Sequence, residues 1–132
     1  MICGLHHVSM RCGTAGEFQR AKEFYCGLLS LPIKREWPEG VMIDLGNAVI
    51  EIFNSKPGER VTGAVRHFAL ASDDVDGDIA KIKAAGYPVF VEPKDVVIPS
   101  QPPLPARIAF CGGPLGEEIE LFQEKSLADE SN

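Results

Sequence analysis

Polar and apolar residues alternate from Leu5 to Arg11, a period of two that predicts a strand. Leu5, His7, Ser9 and Arg11 fall on one face, and His6, Val8 and Met10 on the other. The period then lengthens. Phe18, Ala21, Phe24, Tyr25 and Leu28 form a helical stripe that runs to about Leu28 or Leu29. Thr14 with Glu17 three residues later makes a capping box at its start. Leu31-Pro32 breaks the helix. Strands are predicted at Ile33–Glu36, Val41–Leu45 and Ala48–Phe53, with Trp37-Pro38-Glu39-Gly40 as one turn and Gly46-Asn47 as a tight hairpin dipeptide. Asn54 to Thr62, which holds Lys56-Pro57-Gly58-Glu59, reads as a linker.

The pattern then starts again. Gly63 to Ala71 is a second alternating strand with His67 in it. Ser72-Asp73-Asp74 offers N-caps, Val75, Ile79, Ile82 and Ala85 form a helical stripe, and Gly86 is a C-cap. Strands follow near Val89–Val91, Ala106–Cys111 and Glu118–Phe122. Pro99 to Pro105 contains four prolines and is expected to be a surface loop bordering a site. The polar tail from Lys125 is expected to fray. Each half closes on nearly the same word, Ile50-Glu51-Ile52-Phe53 and Ile119-Glu120-Leu121-Phe122. The fold class is therefore α+β: two βαβββ modules, about 4–54 and 63–123, within a single domain over 1–132. His7 and Glu51 are 44 positions apart, His67 and Glu120 53, a difference close to the length of the proline-rich loop. Duplication with one insertion accounts for that.

A net charge of −6 leaves no overall footprint for nucleic acid or an anionic membrane surface. No apolar run approaches the ~18 residues of a membrane span, and no basic segment precedes an apolar one as in a signal peptide. Cys3, Cys12, Cys26 and Cys111 show no Cys-x-x-Cys or framework spacing, so reduced thiols in a cytoplasmic protein are expected.

The faces select the chemistry. Phe68 and Leu70 point to the helix, so His67 points away; by the same register Val8 and Met10 select His7 over His6. Ile50 and Ile52 likewise leave Glu51 on the opposite face, and Ile119 and Leu121 leave Glu120 there with Glu118. Glu120 is preferred because the repeated word surrounds it. A carboxylate in an apolar strand is costly unless it is paired or bound to a metal. Two such carboxylates, each in a half with an inward His, point to one shared ion. Two neutral imidazoles and two carboxylates neutralise a divalent cation and leave two octahedral positions for water or substrate oxygens. The alternative is a fold that keeps these residues without a catalytic ion.

Leu5-His6-His7-Val8, Phe24-Tyr25-Cys26-Gly27-Leu28-Leu29, Val49-Ile50-Glu51, His67-Phe68-Ala69-Leu70, Lys83-Ala84-Ala85-Gly86 and Ile119-Glu120-Leu121-Phe122 carry a resemblance over about residues 4 to 123. The chain resembles the vicinal-oxygen-chelate superfamily, which includes glyoxalase I, methylmalonyl-CoA epimerase, extradiol dioxygenases and fosfomycin or bleomycin resistance proteins. The resemblance implies two modules in a glyoxalase-like half-barrel sheet with helices on its outer face, and a homodimer. It implies metal-ligand roles for His7, Glu51, His67 and Glu120, with Ni, Zn, Co or Mn as the ion. Glyoxalase I (lactoylglutathione lyase) is the most similar member, and its first-strand Arg beside the thiol cofactor's carboxylate matches Arg11. Many members carry Asp-Pro-x-Gly before the last strand; here Gly113-Pro114-Leu115-Gly116 keeps the turn without the Asp.

The implied reaction is proton transfer through an enediolate on a small 2-oxoaldehyde–thiol adduct, with Glu120 or Glu51 as base. Arg11 and Arg107 are candidates to hold a substrate carboxylate. An epimerase would use the same logic on another substrate. An extradiol dioxygenase would leave Glu51 superfluous. A metal-free antibiotic-binding protein would line its cleft with aromatics, whereas the one Trp, Trp37, is expected in a turn.

Overall fold

The first alternation becomes β1 (His7–Arg11) in the computed structural model, which describes residues 1, 5–54, 67–100 and 102–126. The chain divides into two compact units, Met1–Thr62 and Gly63–Asn132. Most of the expected linker, the start of the second His strand at 63–66 and the end of the tail lie outside the described residues.

In the first unit, Thr14 caps α1 (Ala15–Lys22): its hydroxyl accepts the Glu17 N–H at 3.1 Å. The Glu17 carboxylate reaches back to the Gly13 N–H at 3.0 Å, one residue beyond the cap itself. The helix then widens into a π-helical segment, Glu23–Leu28, closed by the Leu29 N–H on the Phe24 carbonyl at 2.9 Å. Phe24 and Tyr25 are both buried there, their rings edge to face at 4.9 Å. Ser30, at φ 58°, turns the chain into the strands. These are β2 (Ile33–Trp37), β3 (Gly40–Asp44) and β4 (Val49–Phe53), in the spatial order β1-β4-β3-β2. β1 and β4 are parallel; the other neighbours are antiparallel. Val41, Ile43, Ile50 and Ile52 are fully buried from the sheet, and Ala21, Phe24 and Tyr25 from the helix. Trp37 is not in a turn. It is the last residue of β2, paired with Gly40 across a two-residue connection at Pro38-Glu39.

The second unit repeats the order: β5 (Phe68–Ala71), α2 (Val75–Ala84), β6 (Val89–Ile98), β7 (Leu104–Gly112) and β8 (Glu118–Glu124), arranged β5-β8-β7-β6. Asp74 is the N-cap, accepting the Gly77 N–H at 3.0 Å, and Gly86 ends the helix at φ 92°. Val75, Ile79 and Ile82 are buried against β6, β7 and β8, but Ala85 is exposed at the C-cap rather than part of the stripe.

Two expectations change in length. β6 has ten residues where Val89–Val91 was expected, and β7 nine. Their counterparts β2 and β3 have five each. The second module's extra residues thus lengthen the arms of a hairpin, and β7 takes up Leu104 and Pro105 of the expected proline-rich loop. Pro93 is tolerated because β6 is an edge strand. Pro105 precedes the start of β7–β8 pairing at Ala106. Each module is one helix and a four-stranded mixed sheet, the βαβββ plan of the sequence. Among the described residues no helix is long and apolar enough to cross a membrane.

Arg107 ties α2 to this hairpin. Its Nε and Nη2 donate to Asp76 Oδ2 and Oδ1 at 2.6 and 2.8 Å, and its Nη1 to Asp95 Oδ1 at 3.1 Å. The hydrogen bonds from Arg107 hold the Asp76 carboxyl below its ordinary range. A lowered carboxyl value stabilises the fold above the ordinary value of 3.8, and that stability is lost as pH falls through the lowered value. Arg107→Gln should therefore unfold at lower temperature than wild type at neutral pH, with the gap closing in acid. Thermal scans at neutral pH and at about pH 2 check this; a gap of equal size at both would mean the bracket is not its source.

Candidate functional site

Parallel pairing of β1 with β4 sets Ser9 opposite Glu51, so His7 lies one same-face step before that partner. His7 Nε2 stands 3.7 Å from Glu51 Oε1. Glu51 is the one charged residue classed as buried among those described, at 8% exposure, between Ile50 and Ile52 at 0%. His7 Nδ1 is 2.9 Å from Nδ1 of His6, a contact in which one ring donates its N–H and the other accepts.

The second module uses the same register. β5 pairs with β8 so that Ala69 faces Glu120, and His67 again lies two residues before that partner. His67 Nε2 is 3.5 Å from Glu120 Oε1. Phe110, the β7 partner of Glu120, meets the His67 ring edge to face at 5.2 Å. Glu118, the other carboxylate on that face, is exposed and pairs with Gly112.

Among the described residues no group of three or more His, Cys, Asp and Glu side chains is gathered in metal-holding geometry, so each module by itself offers two donors. Two donors on one ion with bonds of about 2.0–2.2 Å stand roughly 3–3.6 Å apart. Both pairs lie within a small adjustment of that separation, and imidazole with carboxylate suits Ni, Zn, Co or Mn. The thiols offer little competition. Cys12, Cys26 and Cys111 are free of disulfides, and burial, with the Glu117 carboxylate adding to it, pushes Cys111 up to about 11.

The two arginines separate. Arg11 lies on the His7–Glu51 face, opposite Phe53. Arg107 does not join Glu120: it alternates to the other face of β7, where Asp76 and Asp95 engage its guanidinium. The alternation of β7 could have excluded it, had the strand's register been known. Sequence reasoning also missed Trp37, Met42 and Phe53, which lie on the Glu51 face of the first sheet. Ile33-Lys34-Arg35-Glu36-Trp37 holds three consecutive charged residues, so no alternation in it keeps Trp37 in the strand. In the turn Gly113-Pro114-Leu115-Gly116 before the last strand, the Glu117 carboxylate accepts the Leu115 N–H at 2.8 Å.

The model of the glyoxalase/bleomycin resistance protein/dioxygenase superfamily matches residues 4–101, and the chain belongs to that superfamily. No curated protein matches it. Among solved structures it is similar to lactoylglutathione lyase from Agrobacterium tumefaciens, with 15% identity and a TM-score of 0.65, covering 93% of this chain and 95% of that one. It is similar to the trypanothione-dependent glyoxalase I of Leishmania major, with 21% identity and a TM-score of 0.68, covering 95% and 89%. A glyoxalase/bleomycin resistance protein/dioxygenase from Alicyclobacillus acidocaldarius gives 16% and 0.67, covering 93% and 92%. At these identities the likeness is one of fold.

A carboxylate buried between apolar neighbours is costly even when it is paired. Glu51→Leu should leave the melting temperature unchanged or raise it, at about 3–5 °C per kcal/mol for a chain of this size, as followed by circular dichroism of metal-free protein. A fall of several degrees would mean that Glu51 holds the sheet together instead.

Proposed function

We propose that this chain is a metal-dependent isomerase or lyase of the glyoxalase I type, a cytoplasmic homodimer acting on a small 2-oxoaldehyde–thiol adduct. The observation that carries the reading is the matched pair in each module, His7 with Glu51 and His67 with Glu120, at 3.7 and 3.5 Å in the same register. Superfamily membership supports it, because proteins of this superfamily often bind divalent metals and many are enzymes. His7, Glu51, His67 and Glu120 would hold one ion. When bound, it would polarise two substrate oxygens as a Lewis acid.

The chain's own residues do the rest. Glu120 accepts the proton from the substrate C–H and returns it to the adjacent carbon, and the carboxylate is regenerated. The imidazole of His67, held on edge by Phe110, keeps a neighbouring donor fixed while Glu120 moves. Glu51, the more buried of the two carboxylates, balances charge. Arg11 lies on the Glu51 face, where it would attract a substrate carboxylate.

One observation favours a second reading. The half-buried Trp37 and Phe53 on the Glu51 face supply aromatic lining of the kind a metal-free binding protein would use.

Glu120→Gln separates the two readings. The amide oxygen still ligates but accepts no proton, so turnover of methylglyoxal hemithioacetals should fall about 10²–10⁴-fold with the fold intact. Wash-in of solvent deuterium at the substrate C–H should fall in parallel. Equal activity in wild type and variant would reject Glu120 as the base. Metal-loaded wild type with neither turnover nor exchange would favour the binding protein.

A further inference from the structure

The ligand face of the first sheet is laid out in cross-strand rows. Ser9, Glu51, Met42 and Arg35 form one row across β1, β4, β3 and β2; Arg11, Phe53, Gly40 and Trp37 form the next. Same-face rows are about 6.8 Å apart. In the second row Trp37 and Phe53 meet edge to face, with ring centroids 5.9 Å apart at 74°. Gly40 makes room for this: a Cβ there would stand 2.7 Å from Trp37 Cζ2 and 3.0 Å from Cε2, so the indole lies directly over the glycine.

Three features mark the corner as something other than core. Both rings are half-buried, whereas the core ring of Phe24 is 1% exposed. The equivalent row of the second module, Ala71, Phe122, Ile108 and Lys94, has neither the aromatic pair nor the glycine, although the flanking His–Glu register is identical. The fold therefore does not require the corner. Finally, Arg11 and Arg35 lie on this face, where they offset the charges of Glu51 and Asp44 and give an anion cationic side chains to meet.

We propose that the Trp37–Phe53 corner over Gly40 is the subsite for the planar aryl end of a small organic anion whose paired oxygens lie toward Glu51, one row away, and His7, two rows away. This makes the substrate class an aryl-bearing 2-oxo compound rather than a methyl-bearing one. It rests on the reading of the His7–Glu51 face as the ligand site.

Trp37 is the one tryptophan of the chain, so its emission reports the corner directly. Phenylglyoxylate and pyruvate share the 2-oxo acid oxygens and charge and differ in phenyl against methyl. Each is titrated into full-length protein, loaded with Zn²⁺ and after chelation, with emission and calorimetry read together. Phenylglyoxylate should shift Trp37 emission and bind about tenfold or more tighter than pyruvate. Trp37→Ala should weaken phenylglyoxylate binding and so remove that preference. Gly40→Ala, which keeps the indole but displaces it, should do the same, and it decides the matter if Trp37→Ala does not fold.

Equal affinities for the two acids, binding of neither, binding without a change in emission, or a preference that survives both substitutions would each overturn the proposal. The parent reading fails differently. A phenyl preference that persists unchanged after chelation upholds the corner and removes the ion. Zn²⁺-dependent binding of both acids without preference upholds the ion and removes the corner.

Discussion

A carboxylate set in the middle of a buried strand is the constraint to which the rest of each module answers. Glu51 lies between two fully buried isoleucines, and Glu120 between the buried Ile119 and Leu121. Strand alternation resolves the conflict by sending the isoleucines to the helix side and the carboxylate to the other face. Even so, the carboxylate leaves water and requires a partner. The parallel strand beside it supplies one, a histidine one same-face step before the register partner. Everything upstream serves that placement, including the capped helix that returns the chain so that β1 and β4 can run parallel.

Comparing the modules separates what that placement demands from what has diverged around it. Ser9↔Glu51 and Ala69↔Glu120 are the same register, and the two His–Glu distances agree to 0.2 Å. The surroundings differ. The first module ends its hairpin at Trp37–Gly40 and lays an indole on its face; the second runs on to Ile98–Leu104 and fixes the longer arms with Arg107 between Asp76 and Asp95. The two modules thus share one His–Glu register and differ in what surrounds it.

The local periods carried most of the fold. Both caps, the helix-ending Gly86 and the order βαβββ twice were readable because each depends on residues close in sequence. That His7 shares a face with Glu51, and His67 with Glu120, was readable for the same reason, since alternation alone assigns a face. What failed depended on partners far along the chain. Nothing near Val91 says that β6 continues through Pro93, because a proline is acceptable only once the strand is known to be an edge. Arg107 looked like an anion clamp until β7 was in register and its face was known. Trp37 was lost to its neighbour Pro38, a turn signal that begins one residue later than it seemed.

The proposed function requires both His–Glu pairs to be ligands of one ion. The direct measurement is calorimetric titration of Zn²⁺ or Ni²⁺ into wild type, His7→Ala and His67→Ala, with protein concentration fixed by amino-acid analysis. One ion per chain is expected in wild type, with loss of most of the affinity in either single variant, because each would remove a ligand from the same ion. Two ions per chain, with one lost in each variant, would contradict that function, as would wild-type affinity retained in either.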